Sequence, residues 1–217
     1  MAASTWQARR AQWRVRLALA LRARGATPNG VSWTGLACAV LAALMFALAW
    51  REPPANAAAL LVLAALALQA RLLCNRLDGL LAQQAQMIGR AGAVYNEAPD
   101  RLSDVAVCLG VGYGLQPVLG VGAELGWAAA LVCVGTAYVR MLGLACAVRE
   151  PLQGPMARVQ RMHWLSLAAL AAAAALLLQH ATLAYMLLAV ALALLIAAAA
   201  LTIAIRVRAI VRELEWK

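Results

Sequence analysis

Four of the nine carboxylates in this 217-residue chain, together with two asparagines, fall between positions 75 and 104. Asp78 follows Asn75 by three residues and Asp104 follows Asp100 by four, so each pair lies on one face of a helix. Three carboxylates and an amide converging in a partly dehydrated pocket repel one another unless a cation or a proton relieves them. Ligand sets built from oxygen alone favour Mg2+, Mn2+ or Ca2+ over zinc. Among the reactions of hard metals, transfer at a phosphorus centre is the natural candidate. The metal neutralises phosphate charge while a spare carboxylate accepts the proton of the attacking hydroxyl.

The elements that must position these residues are membrane helices. Hydrophobic residues make up 65% of the chain and charged ones only 13%, which excludes an ordinary water-soluble domain. Apolar runs at about 31–50, 55–81, 100–119, 123–148, 162–179 and 181–205 each approach or exceed the roughly 20 residues needed to cross the hydrocarbon. They are continuous and rich in Ala and Leu, without two-residue alternation, so the expected fold is all-α, a bundle of six transmembrane helices rather than a barrel. The second span carries Arg71, Asn75, Arg76 and Asp78. A charged residue at the bilayer centre costs about 3 kcal/mol, so these side chains should face a polar cavity or partner helices. Asp78 and Asp100 are equidistant from Gly89. A hairpin of two antiparallel helices turning there brings Asn75 and Asp78 opposite Asp100 and Asp104. Pro99 suits the first turn of the third helix, which leaves Asn96 in the loop.

The net charge of +10 raises the question of nucleic acid, but the basic residues argue for membrane topology instead. They cluster before the first span, around the second and fourth connections and after the last span, while Arg51 alone marks the other side. The positive-inside rule then puts both termini and the longer connections in the cytoplasm, next to anionic lipid. Residues 3–24, with Trp6, Trp13, Leu17 and Leu21 on one side, read as an interfacial amphipathic helix. A turn at Thr27, Pro28, Asn29 and Gly30 follows, with Ser32 as the expected cap of the first span. Residues 206–217 form a cytoplasmic tail, and residues 1–217 a single membrane domain. The first 25 residues are rich in Arg and lack the apolar core of a cleavable signal peptide, so the mature and encoded chains should be the same. The five cysteines fall in apolar runs as packing residues, and Gly110 and Gly114 mark a close helix contact.

The region around the acidic cluster resembles the CDP-alcohol phosphotransferase family. Its signature runs Asp, two residues, Asp-Gly, two residues, Ala-Arg, eight residues, Gly, three residues, Asp, three residues, Asp. Asp78, Gly79, Ala82 and Gly92 match it in place, while Asn75 stands at the first Asp and Gln83 at the Arg. Strict spacing puts Asn96 and Asp100 at the last two Asp positions. A connection one helical turn longer makes Asp100 and Asp104 the final pair, and this register is preferred because Pro99 should open the helix. The six spans, the amino-terminal helix and the Thr27, Pro28, Asn29 turn also look like that family.

The resemblance implies transfer of a phosphatidyl group from CDP-diacylglycerol to an alcohol, with release of CMP, dependence on Mg2+ or Mn2+, and a homodimer in membrane lipid. It implies metal ligation by Asp78, Asp100, Asp104 and Asn75, with Asp104 as the base. Nucleotide contacts fall to Gly79, Ala82, Gln83, Gly92 and Asn96. The neutral Asn75 implies one metal ion or a weakly held second. If the acceptor carries phosphate, Arg140, Arg158 and Arg161 are candidates to bind it. The acceptor itself stays open among glycerol phosphate, inositol phosphate, serine and other headgroups. Two alternatives stay open as well: a relative that binds CDP-lipid without turnover, and a cation- or proton-coupled transporter with a site near mid-membrane.

Overall fold

The computed structural model describes residue 13 and residues 15–85, 92–148 and 154–215, the side chains at 83–85, 92, 93, 95 and 96 excepted. All regular structure among these residues is helical. A short helix α1 over residues 15–23 leads into α2 (Pro28–Ala49), α3 (Pro54–Ala85), α4 (Gly92–Leu119), α5 (Gly122–Ala145), α6 (Arg158–Leu177) and α7 (Ala181–Glu215). Leu17, Ala18 and Leu21 of α1 pack against Val31, Leu77 and Leu81. Trp6 lies outside the described residues.

Five helices, α2, α3, α4, α5 and α7, are long and apolar enough to cross a membrane, which makes this an integral membrane protein. The sixth expected span corresponds to α6, which falls outside that group. Arg158, Gln160, Arg161 and His163 crowd its first two turns and lower its hydropathy. Those first two arginines belong to the helix, not to the preceding connection. The expected tail is helical too, because α7 continues through Glu215.

Sequence chemistry sets the helix starts, and two differ from expectation. The Thr27 hydroxyl caps α2 by accepting from the Gly30 amide at 3.1 Å, with Pro28 at the first helical position where no amide donor is needed. Ser32 is therefore inside the helix and free to serve elsewhere. Pro99 lies inside α4 instead of opening it, because the helix starts at Gly92. The carbonyl of Pro99 accepts from Ser103 Oγ at 2.7 Å, which turns that buried hydroxyl back onto its own helix.

Helix neighbours follow the order α2, α3, α6, α7, α5, α4 and back to α2, closing a ring. α3 and α4 are consecutive in sequence but both lie against α2 rather than forming a packed hairpin seam. α4 meets its neighbours through glycines: a Cβ at Gly110 would collide with the Ala43 backbone, one at Gly114 with the Phe46 carbonyl, and one at Gly112 with Gly126. Apolar side chains including Phe46, Leu61, Leu68, Leu115, Leu165 and Leu195 fill the rest of the interior. Before α6, Gly154 has a φ of +125° and lies against Thr202, whose hydroxyl accepts from the Met156 amide at 3.2 Å. That contact pins the approach to Arg158 onto α7.

Candidate active site

Every helix of the ring sends a polar side chain to one end of its interior. Ser32 comes from α2, Arg71, Asn75 and Asp78 from α3, Asp100 and Asp104 from α4, Thr136 from α5, Arg161 from α6 and Arg206 from α7. Asp78, Asp100, Asp104, Arg71, Arg161 and Arg206 are all buried. Charges taken out of water must be matched by partners, and here guanidinium groups match carboxylates across the ring.

Asp100 is the hub. Its Oδ1 accepts from Arg71 Nη2 at 2.9 Å and from Asn75 Nδ2 at 3.2 Å, and its Oδ2 pairs with Arg158. Arg158 also donates to the Asn75 amide oxygen at 2.6 Å, so Asn75 acts as donor to one and acceptor to the other. Asp78, one helical turn from Asn75, accepts from the Ser32 hydroxyl at 2.8 Å and from the Gly79 amide at 2.6 Å. A Cβ at Gly79 would meet nothing within 4 Å, so the surface beside Asp78 is open. Ser32, Arg71, Asn75, Asp78, Asp100 and Ser103 line a cavity of about 10 Å3, room for one water-sized sphere.

Asp104 is not brought into that cavity. It is 1% exposed and pairs with Arg161 Nη2 at 3.1 Å, one turn further along α4. Arg161 also approaches Thr136 Oγ1 at 3.3 Å and the Cys133 carbonyl at 3.4 Å. The reason for preferring Asp100 and Asp104 as the final signature pair has gone, since Pro99 does not open α4 and position 96 is helical. Asp100 is the residue that meets Asn75. The side chains of Gln83 and Asn96 and the surroundings of Gly92 lie outside the described residues. Ala82 is half-buried near the end of α3.

The three arginines considered for an acceptor line one larger cavity of about 410 Å3, together with Glu97, Arg101, Thr136 and Arg206. Arg140 and Arg101 both pair with Glu97, and Arg206 Nη1 donates to the Thr136 carbonyl at 2.8 Å. The cavity's five guanidinium groups outnumber the three carboxylates paired with them, Glu97, Asp100 and Asp104, which makes this a place for an anion, with phosphate oxygens the best match to their forked donors.

Arg71, expected to face a polar cavity, does so but was given no role in the site, and Glu97 was counted in the acidic cluster without one; Ser32, Arg101 and Arg206 carried no signal stronger than a cap or a topological charge.

For a cation, Asp78, Asp100 and the amide oxygen of Asn75 offer two carboxylates and a neutral oxygen around the small cavity. Among the described residues no three carboxylate, His or Cys side chains gather. This donor set fits one hard divalent ion bound by oxygen, with coordination positions left for water or a ligand oxygen.

No protein-family model matches the sequence, and no curated protein matches it at a significant level. Solved structures do match in fold. The phosphatidylinositol phosphate synthase of Mycobacterium tuberculosis, with CDP-DAG bound, superposes with a TM-score of 0.73 at 21% identity, covering 91% of this chain and 92% of that one. The same synthase in complex with manganese and citrate gives 0.72 at 22% identity over 91% and 88% of the two chains. Its apo form gives 0.68 at 22% identity over 90% and 94%. The ring of helices is therefore the fold of that synthase across nearly the whole chain.

Proposed function

We propose that this chain is a membrane transferase of the CDP-alcohol phosphotransferase family, passing a phosphatidyl group from CDP-diacylglycerol to an alcohol that carries a phosphate and releasing CMP. The observation that carries the reading is the meeting of Asn75, Asp78 and Asp100 at one small cavity, beside a larger one lined with arginine. The likeness of fold to a synthase solved with CDP-DAG and with manganese supports it.

Asp78, Asp100 and the Asn75 oxygen would hold a Mg2+ or Mn2+ ion, which supplies neutralisation of the pyrophosphate charge. Ser32 and the Gly79 amide orient Asp78. Arg140, Arg158 and Arg161 bind the acceptor phosphate and turn its hydroxyl towards α4. Asp100 takes the hydroxyl proton as the acceptor oxygen bonds to the phosphatidyl phosphorus and the pyrophosphate bond to CMP breaks. Asp104 fixes Arg161 and leaves the base role to Asp100. Gly79 and Ala82 leave room for the nucleotide against α3, with Gln83, Gly92 and Asn96 as its further contacts.

In the membrane, α6 completes six spans by turning Arg161 inward, both ends of the chain face the cytoplasm, and α1 lies at the lipid interface. The working form is a homodimer, as the resemblance implies. A coupled transporter would need spans broken in both halves, whereas α3 and α4 run continuously past the site. The buried Arg71 beside Asp100 favours a second reading, a relative that binds CDP-lipid without turnover, because a resident cation competes with a metal for that carboxylate.

The test is CMP release from CDP-diacylglycerol with Mn2+ or Mg2+ and paired acceptors, inositol against inositol phosphate and glycerol against glycerol phosphate. Release confined to the phosphorylated acceptors is expected. A folded protein that releases no CMP with any acceptor refutes turnover, and CDP-lipid binding by that protein would then select the second reading.

A further inference from the structure

Arg158 links the large cavity to the small one: it lines the first and bonds two residues that line the second. Its guanidinium lines the basic cavity while bonding Asn75 Oδ1 at 2.6 Å and pairing with Asp100 Oδ2, both residues of the small cavity. Arg158 thus occupies one oxygen on each of two of the three residues offered to a cation. Its side chain is 22% exposed, against 2% for Arg71, the other partner of Asp100. Arg71 is locked into the interior, whereas Arg158 is the first residue of α6 and already lines the basic cavity.

We propose that Arg158 is a shared counter-ion that couples the two cavities: an anion in the basic cavity draws it off Asp100 and Asn75, and so readies those oxygens for a divalent cation. The inference rests on the proposed reading of the two cavities as acceptor and metal sites. With neither ligand bound, Arg158 neutralises Asp100 and holds Asn75. Its transfer to a phosphate exchanges one charge-assisted contact for another, so the movement has little net cost when an anion is present and a large one when it is absent. Cation and anion then favour each other's binding, and linkage requires the two effects to be equal. A site of this kind resists loading with metal until acceptor is present, which keeps water from attacking CDP-lipid unproductively.

The experiment measures Mn2+ binding to the purified full chain in detergent by loss of the free-ion electron paramagnetic resonance signal. Inorganic phosphate is the anion probe, against chloride at equal ionic strength. In the native protein phosphate should tighten Mn2+ binding about tenfold, and Mn2+ should tighten phosphate binding by the same factor. Arg158→Ala should bind Mn2+ about tenfold more tightly than the native chain without phosphate, and phosphate should then change its affinity less than twofold. Unchanged or weaker Mn2+ binding by folded Arg158→Ala overturns the proposal, and so does a full phosphate effect in that variant, which would assign the coupling to direct contact between the two ions. Absence of coupling in the native chain overturns it without any variant. The underlying reading fails separately if Mn2+ binding is indifferent to Asp100→Asn.

Discussion

Replacing Asp104 by Asn separates a structural from a catalytic role for the carboxylate that sequence spacing favoured as the base. Asp104 and Arg161 are 1% and 3% exposed and 3.1 Å apart. With the charge on Asp104 gone, the guanidinium keeps only neutral acceptors: the new amide oxygen, Thr136 Oγ1 at 3.3 Å and the Cys133 carbonyl at 3.4 Å. An uncompensated buried charge of this kind costs about 3–5 kcal/mol. For a chain of this length that corresponds to a fall of about 10 °C in Tm, measurable by tryptophan fluorescence during heating in detergent. The double variant Asp104→Leu with Arg161→Met removes both charges and should recover most of the loss, because an apolar pair can replace a buried ion pair. It should still release CMP, with a raised KM for the acceptor since Arg161 lines the basic cavity. An Asp104→Asn protein that melts like the native chain and releases no CMP would refute this reasoning and make Asp104 the base.

Ser32→Ala should weaken Mn2+ binding by about tenfold with little change in Tm, since it removes the hydroxyl that orients Asp78; metal titration checks it. Asn75→Asp should lower Tm in the presence of a chelator, because the new carboxylate would face Asp100 where an amide now donates. The same change should raise Mn2+ affinity on the order of tenfold through the added charge, read by titration of both proteins. Gly110→Ala should destabilise the bundle by about 1–3 kcal/mol, as its methyl group would strike the Ala43 backbone, and thermal melting measures this.

Much of the fold was legible because apolar length and the spacing of residues along a helix survive any tertiary arrangement. The pairing of Asn75 with Asp100 could be anticipated from polar residues at similar distances from Gly89. What could not be read was which helices touch. Placing α2 between α3 and α4 depends on Gly110 and Gly114 admitting its backbone, and spacing gives those glycines a neighbour without naming it. Ser32 looked like a cap because it sits just after a turn, and only the backbone shows that Thr27 has that role. Arg206 looked like a topological charge, and for Arg158 and Arg161 the positive-inside rule offered as good an account as phosphate binding. Burial against Asp100, Asp104 and the Thr136 carbonyl depends on partners 58, 57 and 70 residues away in sequence, which local pattern does not report.

The ion pairs across the ring have a consequence for how the chain enters the bilayer. Arg71 and Asp100 stand 29 positions apart on successive spans, and each alone would oppose partition of its helix, by up to about 3 kcal/mol at the bilayer centre. α3 therefore gains a partner for its arginine only when α4 has followed it, and the two should leave the translocation machinery as a unit. α6 is made later still, so Arg161 finds its carboxylate, Asp104, on a helix already delivered. A ribosome stalled between α3 and α4 should leave α3 extractable by alkali, and release of the stall should make it resistant.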